Sequence, residues 1–577
     1  MKRYQDISSN MLLEIFAQSA KFVLDTFCSS LLRGGARAVS TARGWGFLLF
    51  IPALSFTSCL DESPKDQIPE SGIYDSANSL YVNAVASLYN YIGAHEEGEG
   101  LQGTCRGVYD YNTLTTDEAI IPIRGGDWYD GGLWKSMYDH TWTATDTDLY
   151  NVWKYLYKVI MLSTKSLETI NQHASLLTAQ QRGEYEAEVR AVRAMFYYYA
   201  MDMFGRVPII ESSTQKTTDI RQSNRSDVFA YIVKELQAVA PLLPNEHSNL
   251  QGNYYGRVTR PVVWFLLAKL ALNAEVYADD NWTDSSRPDG KAIMFDVDGS
   301  QLNAWQACIH YCDLITGAGY ELESDYTQNF AVHNENSKEN IFTIPLDKML
   351  YQNEFHYLFR SRHYAHGGAY GGASENGTCA TLHTMAVNGY GTDMPDARLD
   401  MNFYTGKVTV DGKDVTLDDG TPLVYMPLAV EENLTASKYI ATAGARMKKY
   451  EVDRTAYADG RMPDNDIVLF RYADVLLMKA EAKVRGGSSG NGELNAVRGR
   501  VGMPTREATL DNILDERLLE LVWEGWRRQD MIRFNTYNKA YDIHTPSDAD
   551  SKGYTIVFPI PEKARELNKN LEQNPGY

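Results

Sequence analysis

The chain has 577 residues, too many for one ordinary hydrophobic core, so we expect one large lobed body or two closely packed lobes. An apolar fraction of 44% is ordinary for a globular protein and excludes bulk disorder. The formal net charge of −20 excludes the basic footprint that nucleic-acid binding usually needs. It also disfavours polyanionic ligands unless a local basic pocket overrides the repulsion.

The first feature along the chain is an uncharged, mostly apolar run at residues 45–56. This run is too short to span a bilayer, which takes about 20 residues. It follows a stretch with several arginines and ends just before Thr-Ser-Cys59, which is the layout of a secretory signal. A cysteine at the cut site resembles a bacterial lipobox, so we predict that residues 1–58 are cleaved and that Cys59 carries lipid. The alternative is a buried strand that ends in a core cysteine.

The segment 59–69 is polar, contains two prolines and is predicted to be a short solvated tether. Its acidic pair, Asp61 and Glu62, is similar to the surface-export signal of Bacteroidetes lipoproteins. That similarity implies the outward-facing leaflet of an outer membrane. The folded body is then expected to cover residues 70–577.

Helical periodicity recurs through this body, and Thr178 is the predicted cap of one long helix. Another helix begins after Pro261 and is apolar nearly all round, so it is expected to be buried between neighbours. Paired helices of such length predict stacked helical hairpins, although no strict 34-residue repeat is legible. The predicted helices cover residues 146–171, 178–203, 224–240, 262–277, 302–316, 470–485 and 512–534.

Two long stretches, 98–145 and 345–425, show little helical period and are rich in glycine and aromatic residues. Loops of this length in a compact protein are usually functional. Within the second stretch, the alternation over 406–417 predicts a hairpin. The cysteines beyond the leader lack metal-ligand spacing and are predicted to be buried thiols. They are Cys105, Cys308, Cys312 and Cys379.

The candidate binding residues lie in these two stretches. Aromatic rings stack on the flat C–H faces of sugars, while polar side chains pair with the hydroxyls at the edge. Arg124, Asp127, Trp128 and Tyr129 have this composition on a glycine-flanked loop, with Trp128 as the predicted stacking platform. The alternative is that the tryptophans of this region, Trp134 and Trp142 included, pin the loop to the body. A second cluster comprises Tyr351, Asn353, Arg360, Arg362, His363, Tyr364 and Tyr370.

Motifs scattered along the chain carry a family resemblance. They are Arg190–Tyr198 followed by Phe204–Pro208, Phe470–Ala482, Asn495–Gly502, Glu516–Asp530, Phe558–Pro561 and Gln573–Tyr577. In their order and spacing they resemble the SusD/RagB family of outer-membrane nutrient-binding lipoproteins. The resemblance divides the body into an N-terminal SusD-like part, about 70–300, and a C-terminal RagB/SusD part, about 301–577.

The resemblance implies a mainly α fold, in which a tetratricopeptide-like superhelix of helical hairpins carries an irregular, loop-rich lobe and a few short β-hairpins. It also implies a lipid-anchored protein of the outer membrane that faces the cell exterior and uses no cofactor. Such a protein captures an oligosaccharide and delivers it to a SusC-like TonB-dependent transporter. The ligand loops vary within the family, so no binding residue is carried over by position.

Two other functions stay open from the sequence. A helical-repeat adaptor would bury the aromatic loops in a protein interface, and a helical-barrel glycosidase would need two carboxyls facing a cleft, about 5 to 9.5 Å apart. The sequence contains no nucleophile elbow, His-Glu-x-x-His motif or phosphate loop, so we predict no catalysis and no metal. Glu520, Glu524 and Arg528 share one helical face, where pairs in solvent contribute only about 0.2–0.5 kcal/mol each.

Overall fold

The computed structural model describes residues 73–284, 286–349, 355–456 and 463–577. All of them belong to one unit, Ile68–Tyr577. The predicted leader, the lipid-bearing Cys59, the tether, Tyr351 and Asn353 lie outside the described residues.

Most regular structure in the described residues is helical. The first ten helices are α1 (Ala77–Tyr81), α2 (Ser87–Tyr89), α3 (Val108–Thr113), α4 (Leu133–Tyr138), α5 (Thr147–Gln172), α6 (Ala179–Phe204), α7 (Arg225–Val239), α8 (Arg260–Leu272), α9 (Ala274–Tyr277) and α10 (Ala304–Gly317). The next ten are α11 (His356–Ser361), α12 (Tyr364–Ala369), α13 (Leu382–Val387), α14 (Leu399–Asn402), α15 (Tyr472–Gly486), α16 (Asn491–Arg500), α17 (Leu510–Leu521), α18 (Arg527–Arg533), α19 (Asp548–Ser551) and α20 (Glu562–Leu567).

Local capping explains where the long helices begin. The side chain of Thr178 accepts a hydrogen bond from the backbone N–H of Gln181, whose side chain reaches back to Thr178, so a capping box starts α6. Pro261 lies in the first turn of α8, where its missing N–H costs no helical hydrogen bond. The segment predicted as one helix over 262–277 is interrupted at Asn273, which separates α8 from α9.

The long helices pack in series. Helix α5 packs against α6, α6 against α7, α7 against α8 and α8 against α10. Helix α10 then packs against α15, which also contacts α16 and α17. Helices that pack in series in this way form the predicted tetratricopeptide-like stack, and the mainly α fold class is confirmed.

The prediction of one continuous helix over 512–534 is wrong, because α17 and α18 are separate helices. Trp523 has φ +69° and Gly525 has φ +75°, so the backbone turns through the left-handed region between the two helices. The turn directs Glu524 inward, where its carboxylate lies 2.5 Å from the Lys449 ammonium and 2.8 Å from the Arg471 guanidinium. The buried ion pairs therefore accompany a break that helical periodicity does not show.

The exposed ion-pair face expected for Glu520, Glu524 and Arg528 is also wrong, because all three side chains are buried. Glu520 binds Arg398 at 2.8 Å and Arg471 at 2.6 Å, and it also pairs with Arg500. Arg528 reaches back to Asp202 of α6 at 2.8 Å. These charges join elements distant in sequence, and each ion is retained inside because opposite charges and hydrogen bonds surround it.

The strands form two-stranded antiparallel pairs. They are β1 (Ala119–Ile120), β2 (Met294–Val297), β3 (Ser300–Asn303), β4 (Asn340–Ile344), β5 (Cys379–Ala380), β6 (Phe403–Tyr404), β7 (Gly406–Lys407), β8 (Thr409–Val410), β9 (Lys413–Asp414), β10 (Val424–Tyr425), β11 (Arg446–Met447) and β12 (Ile467–Arg471). Strands β4 and β12 are fully buried, with Ile344 opposite Ile467. Strands β8 and β9 form a hairpin inside 406–417, as expected.

The cysteines follow the expectation for buried thiols. Cys308, Cys312 and Cys379 are buried and form no disulfide, and Cys105 is buried as well. Across the described ranges, no helix combines the length and the apolar character needed to cross a membrane.

Candidate functional site

The predicted binding loop, 124–132, lies between β1 and α4 and begins with a tight turn. The backbone N–H of Arg124 donates to the carbonyl of Asp127 at 2.9 Å, and the N–H of Asp127 donates back at 3.1 Å. Gly125 closes the turn with φ +68°, a conformation that glycine adopts without steric cost. The turn thereby carries the following residues, Trp128 and Tyr129, to the outer side of the loop.

Arg124 is buried below this turn. Its guanidinium donates to the carbonyls of Ile440 at 2.6 Å and Ala443 at 2.9 Å. Burial, together with the neighbouring Arg446, lowers the pKa of Arg124 to about 9. The structure therefore places Arg124 as an anchor of the loop, and its side chain does not reach the surface where a ligand would bind.

Trp128 is half-buried, and it combines features of a platform and of an anchor. Its indole N–H donates to the carbonyl of Glu375 at 2.9 Å. Its ring fills the space beside Gly377, because a Cβ added to that glycine would lie 2.6 Å from the Trp128 ring. Its φ of +62° is strained for a bulky residue, and such strain is concentrated at functional sites. One edge of the ring is thus fixed by the body, while the side chain keeps partial exposure.

The other two tryptophans of this region are buried, as the anchoring alternative expected. The indole N–H of Trp134 donates to Asp130 at 2.6 Å, and that of Trp142 donates to the Tyr577 hydroxyl at 2.7 Å. The Trp134 ring also contacts the Trp128 ring edge to face, with 5.8 Å between the ring centroids.

Tyr129 and Tyr364 are the exposed aromatic rings of the candidate region, with 58% and 49% of their surface accessible. The Tyr364 hydroxyl donates to the exposed carboxylate of Asp127 at 2.9 Å. Burial and this hydrogen bond raise the pKa of Tyr364 to about 12, so the hydroxyl stays protonated at neutral pH. The structure thus joins the two clusters that the sequence analysis proposed separately.

His363 precedes Tyr364 and caps helix α12. Its Nδ1 accepts a hydrogen bond of 3.1 Å from the backbone N–H of Ala365. Partial burial, followed by the positive charges of Arg446 and Arg124, lowers the pKa of His363 to about 4. At neutral pH the ring is therefore uncharged, and the acceptor role of Nδ1 assigns the proton to Nε2.

Arg360 does not belong to the exposed group. It is fully buried and forms two parallel hydrogen bonds, of 2.7 and 3.0 Å, with the carboxylate of Asp110. Its Nε also donates to Thr378 at 2.9 Å. With its donors engaged inside the protein, Arg360 ties α11 to α3, and a ligand would have to displace a buried ion pair to reach it.

Three parts of the site were not anticipated from the sequence. The Glu375 carbonyl and Gly377 receive the Trp128 ring, and Arg446 lies underneath, where it donates to the side chain of Asn376 at 2.9 Å. A backbone carbonyl leaves no mark in a sequence, and Arg446 lies in a strand with no recognisable motif. Gly377 is the one position with a usable signal, since it closes the glycine-rich stretch of the second cluster.

A separate buried trio, His140, His544 and Asp550, brings metal-ligand atom types within 4.8 Å of one another in the described part of the chain. The Nδ1 of His140 lies 2.7 Å from the Asp550 carboxylate, and its Nε2 lies 2.8 Å from the carbonyl of Thr115. These are hydrogen-bond contacts, and they engage both nitrogens of His140 within the protein.

A family model described as "SusD family" matches residues 278–577, which is more than half of the chain. This chain belongs to the SusD family. A second family model, described as "Starch-binding associating with outer membrane", matches residues 108–272. The resemblance inferred from the motifs is therefore confirmed.

Individual relatives of this SusD family member cover nearly the whole chain. The starch-binding protein SusD of Bacteroides thetaiotaomicron is 24% identical over 92% of this chain and 98% of its own length. A SusD-like protein of Bacteroides ovatus is 25% identical over 84% of this chain and 81% of its own.

Solved structures show the same fold at lower identity. Surface glycan-binding protein A of Bacteroides thetaiotaomicron, in complex with laminarihexaose, aligns with a TM-score of 0.64 and 21% identity over 85% of this chain and 98% of its own. A laminarin-binding SusD-like protein aligns with a TM-score of 0.62 and 18% identity over 87% and 99%.

The residues that mark this chain as a SusD family member differ from those of the candidate site. The motif residues Arg471, Glu520 and Glu524 are buried in ion pairs that join β12 to α17 and the turn after it. The exposed rings of Tyr129 and Tyr364 lie outside these motifs. The family motifs therefore contribute to the fold, and the candidate binding residues lie elsewhere.

Proposed function

We propose that this protein binds an oligosaccharide through an aromatic surface, defined as Asp127, Trp128, Tyr129, His363 and Tyr364. The observation that carries the proposal is the hydrogen bond between Tyr364 and Asp127, which holds a half-exposed ring beside a carboxylate, two residues before the exposed Tyr129. Arg124 and Arg360 are left out because both are buried and engaged within the protein.

The surface offers the two kinds of contact that a sugar needs. The tyrosine rings present apolar faces for the C–H face of a pyranose, and Trp128 adds partly exposed ring area next to them. The Asp127 carboxylate accepts from sugar hydroxyls, while the neutral His363 supplies an N–H at Nε2. Because Trp128 and Tyr364 are already fixed by hydrogen bonds, little side-chain freedom is lost on binding.

We further propose that the protein acts at the outer membrane, carries lipid on Cys59 and delivers its ligand to a SusC-like TonB-dependent transporter. Support comes from the outer-membrane description of the family model over residues 108–272 and from the starch-binding relative that spans most of the chain. Fractionation tests the anchor: Cys59→Ala should leave the protein unlipidated and soluble in the periplasm. Recovery of that variant as an intact lipoprotein in the outer membrane would refute the anchor.

Binding without turnover is the form of this function that the side chains favour. The buried carboxylates of Glu520 and Glu524 are each paired with a guanidinium or ammonium group, so neither is poised as an acid or nucleophile. The exposed rings of Tyr129 and Tyr364 would suit a sugar or a protein partner, so the adaptor alternative is decided by the binding test that follows.

A glycan array tests the proposed function directly. The purified full chain should retain a subset of oligosaccharides, and the retained sugars should be recovered unchanged by chromatography after overnight incubation. An array without a single retained oligosaccharide would contradict the proposal. The appearance of new reducing ends, lost in one Asp or Glu variant, would favour the glycosidase alternative.

A further inference from the structure

Helix α12, which begins at Tyr364 of the aromatic surface, also contributes to the wall of a small cavity. Its wall includes Arg362, Gly367, Tyr370, Asp453 and Arg454. The cavity volume is about 30 Å³. One water molecule requires about 10–15 Å³ by this measure, so the cavity takes a group of a few heavy atoms.

The guanidinium of Arg362 is the unusual feature of this wall. The side chain is only 4% exposed, yet among the described residues its Nε and Nη1 have no hydrogen-bond acceptor. Its central carbon lies 5.5 Å from the centre of the Tyr370 ring, which supports one face of the group. A buried charged donor without an acceptor is costly, so the side chain is prepared for a partner that the described part of the chain does not supply.

Three other arginines, Arg124, Arg360 and Arg446, show how a guanidinium with a structural role is paired in this protein. Arg360 has a carboxylate, Asp110, at 2.7 Å. Arg124 and Arg446 donate to backbone carbonyls, with Ala443 serving both. Among the described residues, Arg362 has two buried nitrogens without an acceptor, whereas Arg124 and Arg446 have one each, the Nε, and Arg360 has none.

The other charged groups of the cavity form hydrogen bonds with partners other than Arg362. The exposed Arg454 is paired with Asp411 at 2.7 and 2.9 Å. The Asp453 carboxylate is engaged by the backbone N–H groups of Thr455 and Asp464, at 2.7 and 2.9 Å.

The pKa of the neighbouring His366 is influenced by the positive charge of Arg362. Burial first, then the charges of Arg362 and Arg446, lower its pKa to about 3. The ring is therefore neutral.

We propose that Arg362 receives an anionic oxygen group, a carboxylate or a sulfate, carried by the bound saccharide. The charged N–H donors of a guanidinium form strong hydrogen bonds with the oxygens of either anion. The inference rests on the proposed function, because the aromatic surface holds the rest of the same ligand. Helix α12 connects the two: His363 caps its start and Gly367 lines the cavity, and six residues of helix measure about 9 Å.

The test compares sugars that differ only in charge. Calorimetric titration of the full chain should use tetragalacturonic acid against its methyl ester, and a sulfated galactose tetramer against its unsulfated parent. We expect at least one anionic member to bind about tenfold or more tightly than its neutral partner. A preference confined to the uronate identifies a carboxylate as the group, and one confined to the sulfated tetramer identifies a sulfate.

Variants assign the preference to the cavity. Arg362→Gln should remove the anionic preference and leave affinity for the neutral partner unchanged, whereas Arg362→Lys should restore part of it. Arg182→Gln, on an exposed arginine paired with Glu186, is the matched control and should bind as the wild type does. If melting shows that Arg362→Gln does not fold, Ala373→Asp decides instead, because it adds a carboxylate to the cavity wall and should abolish the preference.

Two results overturn the inference. Equal affinity for charged and neutral partners, with neutral sugars still bound, refutes the role of Arg362 and leaves the proposed function standing. A preference that survives in Arg362→Gln, or in Ala373→Asp where that variant decides, also refutes it. If no sugar of either kind binds, the proposed function and the inference fail together.

Discussion

The Tyr364 hydroxyl donates a hydrogen bond of 2.9 Å to Asp127, across 237 positions of sequence. This contact connects the tight turn that begins at Arg124 with the first residue of helix α12. It also fixes one of the two exposed rings of the aromatic surface. A ligand that stacks on Tyr364 therefore meets a ring whose orientation is set before binding.

Removing only the hydroxyl tests this orientation. Tyr364→Phe keeps the ring and loses the hydrogen bond to Asp127, a bond whose removal typically costs about 0.5–1.5 kcal/mol. We expect affinity for a retained oligosaccharide to fall roughly threefold to tenfold, with little change in melting temperature because both groups are exposed. Asp127→Asn keeps an acceptor for both the Tyr364 hydroxyl and the sugar, so its affinity should fall less. An affinity equal to the wild type in Tyr364→Phe would show that the bond does not orient the ring.

Trp128 is expected to contribute to binding and to stability at once. Trp128→Ala removes an aromatic anchor, which typically costs about 2 kcal/mol or more, so affinity should fall by roughly thirtyfold. It also removes the hydrogen bond to the Glu375 carbonyl and the packing beside Gly377, so the melting temperature should fall. Trp128→Phe separates these effects, because it keeps a ring without the N–H. If affinity stays unchanged while the melting temperature drops, Trp128 is an anchor and not a platform.

The depressed pKa of His366 predicts a dependence of stability on pH. The pKa of His366 is about 3 in the folded protein, against a reference value of 6.5 that we take for the unfolded chain. Between these two values, the unfolded chain takes up a proton that the folded chain does not. The contribution of His366 to stability is therefore lost as pH falls from 6.5 towards 3. His366→Gln lacks this loss, so its stability relative to the wild type should improve between pH 7 and pH 4.5. His95→Gln, at an exposed histidine, is the matched control, and a constant difference for His366→Gln would contradict the assignment.

The buried ion pairs predict that removing the single charge of Glu520 strongly lowers the free energy of unfolding. Glu520→Gln removes the charge that faces Arg398, Arg471 and Arg500, and breaking a buried pair typically costs about 3–5 kcal/mol. Chemical denaturation should show a loss of this order. The control is Glu321→Gln, whose partner Lys338 is exposed, and which should cost less than about 1 kcal/mol. Equal losses for both variants would show that the network is not a specific source of stability.

The helical stack could be predicted because its signals are local. Thr178 and Gln181 lie three residues apart, so the cap of α6 is legible in the sequence. The break before α18 could not be predicted in this way, because helical periodicity continues through Trp523 and Gly525. The partners of Glu524, Lys449 and Arg471, lie 75 and 53 positions away.

The candidate site was predictable in its composition and not in its geometry. Arg360 and Arg362 look equivalent in the sequence, but Arg360 meets Asp110, 250 positions earlier, and Arg362 has two nitrogens without an acceptor among the described residues. The loop 124–132 was found because glycines flank an indole and a phenol. That Tyr364 lies beside it follows from the fold alone.

The most direct test of the account is calorimetric titration of a retained oligosaccharide against the double variant Tyr129→Ala/Tyr364→Ala. Both rings are exposed, so the variant should melt as the wild type does while its affinity falls by about a hundredfold or more. Leu567→Ala, which removes another exposed apolar side chain, should leave affinity unchanged. Wild-type affinity in a folded double variant would contradict the account, because the sugar would then be bound at another surface.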